Sequence, residues 1–521
     1  MAFISNLWIA FEEIATTHKD RPALLYPATG QRVNYSDLHQ LAHQSANSLL
    51  ERGVGNGSVV AMFHDKSPAA FAMMLACLRL GVTYTMLDPD SPWPRLQKIL
   101  SSSCPNLIVN AFELMPHRES LVTGGHAHIL NLREVEPSRF SRALPEASKI
   151  SGATPAYIMF TSGSTGNPKG AVMSHANVLW FIQWSHHRFK ITPDDVLTNA
   201  NPIYFDNSVF DFYSAIFSGA TLVPLTAEQV RDPRQLVRYV NEAKCSIWFS
   251  VPSLLVYLLT TRALAAKDFP SIRKIIFGGE GFPKVKLKQL YDLFGHRAEL
   301  ENVYGPTECT CICSAHTIGP ADFDDMQSLA TLGALSQNFD HEILPQDATD
   351  PSFGELLLRG PQVGLGYYND PGRTQTAFIQ NPTHNRFSDI GYRTGDLIKV
   401  DTNGNLHFKG RVDYQIKHMG YRIELEEIEA ALATITYIKE CAVIYQKLGD
   451  GMGQILAYVA TSEQTQPTTV IEQVAKLLPA YMVPRDIRLL EALPKNANGK
   501  IDRMALVALA NQHPSTITGS R

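Results

Sequence analysis

Tyr157-Ile-Met-Phe-Thr-Ser-Gly-Ser-Thr-Gly-Asn-Pro-Lys-Gly170 runs from an apolar stretch of strand character into a loop of small residues, hydroxyls and glycines closed by a lysine. Phosphate groups need that composition. Glycines let backbone N–H groups approach, hydroxyls donate hydrogen bonds, and a lysine supplies charge. The string departs from the usual P-loop, because Gly163 is followed five positions later by Pro168 and not by a second glycine. A Gly/Ser surface turn accounts for any one of these glycines but not for the whole string.

On either side of this loop, helical and strand patterns alternate through most of the first 400 residues. Residues 38–52 and 69–80 read as helices, and 58–63 and 246–250 as strands. Such alternation predicts an α/β protein whose sheets are largely covered by helices. The rhythm changes after a turn signal at 401–404 (Asp-Thr-Asn-Gly), a short strand at 406–409, and Gly410-Arg-Val-Asp413. A helix with an acidic first turn follows at 425–433, then strands at 441–445 and 455–460. A second helix at about 470–478 and a strand near 487–490 complete a compact α+β pattern. The chain has 521 residues, beyond the roughly 250–300 at which one core stops growing. The reading is therefore a large N-terminal domain of layered α/β subdomains, residues 1–412, and a small C-terminal α+β domain, 413–521.

With 46 basic and 50 acidic residues the formal net charge is −4, which implies neither a nucleic-acid footprint nor a basic membrane face. Seven cysteines in so long a chain do not make a disulfide scaffold. Cys309, Cys311 and Cys313 have the i, i+2, i+4 spacing of one strand face and lack the paired spacing of a zinc site. The N-terminal stretch carries Glu12 and Glu13 inside its apolar pattern and reads as an amphipathic helix, not a signal peptide. The apolar run 69–78 ends at Arg79, too short for a bilayer span. A reduced, cytoplasmic compartment is expected.

Four further strings carry chemistry. In Asn302-Val-Tyr-Gly-Pro-Thr-Glu308, Tyr304 offers a flat face for a base, Thr307 a phosphate donor, and Glu308 a hard oxygen ligand suited to Mg²⁺. In Tyr392-Arg-Thr-Gly-Asp396, a carboxylate after a tight turn can accept both ribose hydroxyls. Gly410-Arg-Val-Asp413 and Asn498-Gly-Lys500 complete the set. Alone, each of the last three fits a solvated loop, and the first fits a Gly-Pro turn with an exposed glutamate.

Together and in this order, they resemble the adenylate-forming superfamily of acyl-CoA synthetases, nonribosomal peptide adenylation domains and D-alanine–carrier-protein ligases. The resemblance extends from Val33-Asn-Tyr-Ser-Asp-Leu38 to Lys500. It includes residues 81–88 with Arg95, Gly354-Glu-Leu-Leu-Leu-Arg-Gly360, Lys417-His-Met-Gly-Tyr-Arg-Ile-Glu424 and Leu478-Pro-Ala-Tyr-Met-Val-Pro484. It implies that Thr161, Ser162, Gly163, Ser164, Thr165, Gly166 and Lys169 form a flexible loop over the β- and γ-phosphates of ATP. It implies that Tyr304 stacks on adenine beside Gly278-Gly279-Glu280, within a nucleotide site that includes Asn302 and Gly305. Thr307 then touches the α-phosphate, Glu308 holds Mg²⁺, and Asp396 and Arg411 bind ribose. Lys500 matches the lysine that bridges substrate carboxylate and α-phosphate, Asp413 the hinge on which a mobile small domain swings, and Gly420 the channel for a phosphopantetheine thiol.

The selectivity segment is Phe205-Asp206-Asn207-Ser208-Val209-Phe210-Asp211. By resemblance, Asp206 pairs with the α-ammonium of an amino acid. A helix N-cap role is the competing reading. The same resemblance assigns the side-chain pocket to Asn207, Phe210, Ser250, Ile276, Gly278, Val303, Cys311 and Ile312, a lining for a small or medium neutral side chain. Asn207 stands where a small apolar residue is common, which leaves β-amino and cyclic amino acids open. The expected reaction is ATP- and Mg²⁺-dependent amino acid adenylation in nonribosomal peptide-type secondary metabolism, with transfer to a separate phosphopantetheinyl carrier protein or CoA. About 20 residues follow Lys500, with no carrier domain among them, so a free-standing enzyme is expected. An acyl- or aryl-CoA synthetase and a non-catalytic AMP-binding interaction module are the alternatives.

Overall fold

Uninterrupted apolar runs mark the central strands of this chain. In the computed structural model, which describes residues 6–125, 128–134, 144–346, 349–448, 453–496 and 501–512, Val59–Phe63, Thr83–Met86 and Leu107–Asn110 are buried at every position. Parallel strands covered on both faces read that way. The chain divides into two compact units: Met1–Pro89, Leu100–Phe160 and Gly170–Val412 form the first, and Asp90–Ile99, Thr161–Lys169 and Asp413–Arg521 the second.

In the first unit, a six-stranded sheet runs Ile129–Asn131, Leu107–Asn110, Val59–Phe63, Thr83–Met86, Pro155–Thr161, Lys169–Ser174, the last strand entering from the second unit's Lys169. A nine-stranded sheet has parallel Glu299–Tyr304, Lys274–Gly278, Ile247–Ser250, Val196–Asn199, Thr221–Pro224 and Pro22–Tyr26 at its centre. A third, antiparallel sheet pairs Ile390–Val400 with Phe353–Arg359, Phe378–Gln380 and Leu406–Arg411. The expected helices span Tyr35–Glu51 and Pro68–Leu80. Ala70 to Leu80 are all buried, so this helix is apolar all round because it lies in the core. Among the described residues no helix is long and apolar enough to cross a membrane.

In the second unit, Ile438–Lys447 pairs antiparallel with Gly453–Thr461, which pairs parallel with Asp486–Leu489. Val443, Ala457 and Val459 pack on one face with Ile428 and Leu432 of the helix Leu425–Ala433 and Val470 and Val474 of Pro467–Val474. Ala442, Ile444 and Leu456 face the other way, onto Leu506 and Ala510 of the helix Arg503–Gln512. Alternate residues thus serve opposite layers, as the period of a strand requires. The sequence pattern misses this last helix and the hairpin Gln415–His418/Tyr421–Glu424.

The cysteine reading needs correction. Thr307–Cys309 is a single 3₁₀ turn, Thr310 and Cys311 have φ of 58° and 73°, and the strand starts only at Ser314. Left-handed backbone at two successive residues breaks the two-residue period, so the three thiols share burial but not a strand face.

His175 opens the helix His175–Phe189 and is fully buried, with Nδ1 accepting the Leu7 N–H at 3.1 Å. Burial pushes its pKa down to about 4, below the roughly 6.5 of an unfolded histidine. The unfolded chain therefore binds the proton first, and stability present above pH ~6.5 is lost as pH falls toward ~4, at about 1.4 kcal/mol per pH unit. Urea titrations across this window should show a shallower acid slope for His175→Gln than for the wild type. Equal slopes would remove His175 from the acid response.

Candidate active site

The nine-stranded sheet changes direction at Val196–Asn199: the chain goes next to Thr221–Pro224 on one side, then crosses back to Ile247–Ser250 on the other. Ligands of open α/β sheets bind outside the carboxyl ends of strands at such a switch. Here those ends are tied together by Lys66. Its buried ammonium donates to the carbonyls of Asn199 (2.8 Å), Asn201 (2.9 Å) and Leu225 (2.7 Å), which uses all three protons. Asp211, equally buried, accepts from Asn199 Nδ2 at 2.9 Å and Asn201 Nδ2 at 3.0 Å. Burial pushes the lysine down and the carboxyl up, and each charge opposes the other's shift.

From this anchor, residues 200–206 lead to the helix Asn207–Ile216. Asp206 occupies the residue before the helix, yet its side chain caps nothing; it accepts the Thr307 hydroxyl at 2.6 Å. The cap reading is thereby set aside. Phe210 meets Phe249 edge-on with ring centroids 5.0 Å apart, in the same core as Ile276, Val303, Cys311 and Ile312. Asn207 Nδ2 lies 3.9 Å from the place of a Cβ on Gly279, whose φ of +93° favours glycine. The Ser250 hydroxyl is already engaged, accepting from the Trp248 indole at 2.8 Å and donating to the Val251 carbonyl at 3.0 Å. A Cβ on Gly278 would sit 2.3 Å from the Val303 carbonyl oxygen, so close strand-to-strand approach also requires glycine there.

A second group gathers around Asp396. The Tyr304 hydroxyl donates to it at 2.5 Å, and Arg411, its cross-strand neighbour, donates from the other side. Burial, then Asp396, pushes the Tyr304 phenol well up, so it stays a donor. Glu308 is fully buried and accepts the Tyr367 hydroxyl at 2.7 Å. Asn302 donates to the Thr331 carbonyl at 2.8 Å. The Glu280 carboxylate accepts the Ser253 N–H at 2.7 Å, at the start of the helix Pro252–Thr260. Gly305 lies so near the Cys311 carbonyl that a Cβ would be 2.2 Å away. Lys66 and Tyr367 carry no motif signal, since their partners lie far off in sequence.

The phosphate-type loop belongs to the second unit. Ser162 donates its hydroxyl to the Arg422 carbonyl at 2.7 Å, Gly163 N–H donates to Glu427 at 3.1 Å, and Lys169 Nζ lies 3.6 Å from Glu424. Lys98 donates to the Gly166 carbonyl at 2.6 Å. The Thr161 hydroxyl is buried with no hydrogen-bond partner among the described residues, which fits a phosphate oxygen as its acceptor. The Glu308 carboxylate offers the hard oxygen that Mg²⁺ takes. Asp413 starts the C-terminal segment of this unit, and its carboxylate accepts the Gln415 N–H at 3.3 Å. Met419 and Gly420, with φ of 52° and 83°, form the two-residue turn of the hairpin. Lys500 lies outside the described residues.

An α/β scaffold with a phosphate-type loop and a tyrosine–carboxylate–arginine group defines a nucleotide-binding enzyme. The chain belongs to the AMP-binding enzyme family, whose profile matches residues 11–368, with the AMP-binding enzyme C-terminal domain matching 427–500. It is 33% identical over 489 residues to the L-proline–[L-prolyl-carrier protein] ligase of Pseudomonas fluorescens, covering 91% of this chain and 93% of that protein. It is 31% identical over 505 residues to tyrocidine synthase 3 of Brevibacillus parabrevis, covering 95% of this chain but only 7% of that synthase. The solved structure of holo-PA1221, a nonribosomal peptide synthetase protein with adenylation and PCP domains, matches with a TM-score of 0.82 and 25% identity, over 97% of this chain and 84% of that one.

Tyr367→Phe removes a hydroxyl donor to the fully buried Glu308 carboxylate. The expected cost is about 1.5–3 kcal/mol, the range for hydrogen bonds to charged groups. A lower urea midpoint at unchanged m would record it; an unchanged midpoint would assign the contact no stabilising role.

Proposed function

We propose that the chain activates an amino acid with a small or medium, neutral side chain as aminoacyl-AMP and transfers it to the phosphopantetheine thiol of a carrier protein. The observation that carries this reading is the Asp206 carboxylate at the carboxyl edge of the sheet, hydrogen-bonded to Thr307 and not spent on its helix. A carboxylate among apolar residues suits a substrate cation and disfavours a hydrocarbon acid. Its carrier-protein ligase relative is named for loading L-proline, which supports both the amino acid and the acceptor.

In the proposed reaction, an oxygen of the substrate carboxylate attacks the α-phosphorus of ATP, and the bond to the bridging oxygen breaks to release pyrophosphate. Asp206 holds the ammonium and fixes the attack line. Thr307 and Lys500 offer donors to the α-phosphate region, where negative charge gathers in the transition state. The residues Thr161 to Gly166 and Lys169 bind the leaving phosphates, and Tyr304, Asp396 and Arg411, with Asn302, Gly305, Gly279 and Glu280 nearby, bind the nucleoside. Mg²⁺, held by Glu308, would neutralise phosphate charge. In the second step the carrier thiolate attacks the acyl carbon, AMP leaves with the electron pair of the mixed anhydride, and a thioester remains. Residues 1–412 are assigned the binding of both substrates, and 413–521 the catalytic lysine, with Asp413 as hinge and Gly420 beside the thiol path.

Lys500→Ala should lower ATP–pyrophosphate exchange by about 10²–10³-fold, the cost of one charge-stabilising donor. Thiol transfer from supplied aminoacyl-adenylate should stay near the wild-type rate. Equal losses in both half-reactions would count against assigning the lysine to adenylation alone.

Asp206→Ala should lower kcat/KM for the amino acid about 10²–10⁴-fold, since the ammonium loses its partner. ATP affinity should hold, and the des-amino analogue should become relatively better used. A panel of amino acids and hydrophobic acids in pyrophosphate exchange checks this. Unchanged discrimination by the variant would move the assignment to an acyl-CoA synthetase.

A further inference from the structure

Away from these residues, in the first unit, two helices bring three ligand-type side chains together. His39 and His43 are four residues apart on Tyr35–Glu51 and so share a helix face. Glu12 projects from Leu7–Thr17 toward them. The two Nε2 atoms approach to 3.2 Å, the Glu12 Oε1 lies 3.8 Å from His39 Nε2, and all three ligand atoms fall within 4.8 Å of one another. Fully buried Trp8 contacts both rings, stacking on His39 at 5.4 Å and 24° and meeting His43 edge-on at 5.2 Å and 84°.

We propose that Glu12, His39 and His43 form a binding site for one transition-metal ion of the zinc, nickel and copper class. Two nitrogens each about 2.0–2.1 Å from a tetrahedral ion stand about 3.3 Å apart, and the observed 3.2 Å separation needs almost no movement. The Glu12 oxygen must close by about half an ångström on His39 and move in from within 4.8 Å on His43 to complete the set, and the exposed Glu12 side chain is free to turn toward both. Solvent fills the remaining position, as in other three-ligand sites. Arg79, with its guanidinium 5.6 Å from the centre of the Trp8 ring, adds a positive charge that opposes any cation. The site therefore selects ions that bond strongly to imidazole, and not Mg²⁺ or Ca²⁺, which prefer oxygen. The ion would clip the first helix to the second, so binding also raises the thermal stability of the unit that carries them.

The test uses the full chain without a histidine tag, stripped of metal and titrated with Zn²⁺ against a chromophoric chelator. The wild type should bind one more Zn²⁺ equivalent than His39→Gln/His43→Gln, and its melting temperature should rise with Zn²⁺ while that of the double variant does not. Glu12→Gln, a change at an exposed position, should weaken this equivalent about tenfold or more, at least the cost of losing an outer-shell partner. Mg²⁺ and Ca²⁺ should not compete. The proposal is overturned if wild type and double variant bind the same number of Zn²⁺ ions. Should the double variant fail to fold, equal Zn²⁺ affinity in wild type, Glu12→Gln and His43→Gln overturns it as well. Either result leaves the imidazoles as a hydrogen-bonded pair.

Discussion

A buried ammonium is costly unless every proton finds an acceptor, and Lys66 meets that condition by holding three carbonyls from two strand ends and the segment after one of them. The same bonds that satisfy the lysine fix Val196–Asn199 and Thr221–Pro224 to each other at the carboxyl edge. Asp211 supplies the opposite charge through the side chains of Asn199 and Asn201. Since Asp211 lies one turn into the helix that Asp206 precedes, the network holds both ends of the segment that presents the Asp206 carboxylate. A hydrophobic lysine substitute would leave three buried carbonyls to find new donors and the buried Asp211 carboxyl without its opposite charge, which is a cost that favours so polar a device inside a sheet.

This anchoring gives the Asp206–Thr307 hydrogen bond its significance. A threonine hydroxyl has one proton, so it donates either to Asp206 or to a phosphate oxygen, not to both. A carboxylate, by contrast, has several lone pairs and can keep one partner while gaining another. With the proposed roles, an arriving ammonium satisfies Asp206 and frees the Thr307 proton for the nucleotide, whereas a neutral acid offers Asp206 nothing in exchange. In the proposed reading, this 2.6 Å contact links the two substrate sites.

The chemistry-bearing strings were legible because each is short and its residue types are needed together, as in the run from Tyr157 to Gly170. The helix Leu425–Ala433 was legible for the same local reason. Contacts between distant parts of the chain were not. Lys66 and its acceptors are 133 to 159 residues apart, and Tyr367 is 59 residues from Glu308. Nothing local distinguishes such a lysine from a surface one. The cysteine spacing misled because a period of two presumes extended backbone, and positive φ at Thr310 and Cys311 cancels it. The hairpin at Met419–Gly420 escaped notice because its strands are four residues each, too short for a periodicity to emerge.

The phosphate-type loop shows the same economy of donors. Gly163 N–H and the Lys169 ammonium are the groups the motif offers to phosphate, and within the second unit both face carboxylates, Glu427 and Glu424. Arg95 also pairs with Glu427, so the carboxylates are held in place as well as used. Gly166 has a φ of +76°, and a Cβ there would lie 2.6 Å from the Ala430 Cβ; its lack of a side chain serves the turn and the close packing at once. One N–H serves one strong acceptor, so a phosphate oxygen at Gly163 and the Glu427 carboxylate exclude each other. With the proposed phosphate role, anion replaces anion at this loop, and the segment carrying Glu424 and Glu427 gives up its hold on Gly163 wherever a phosphate takes that donor.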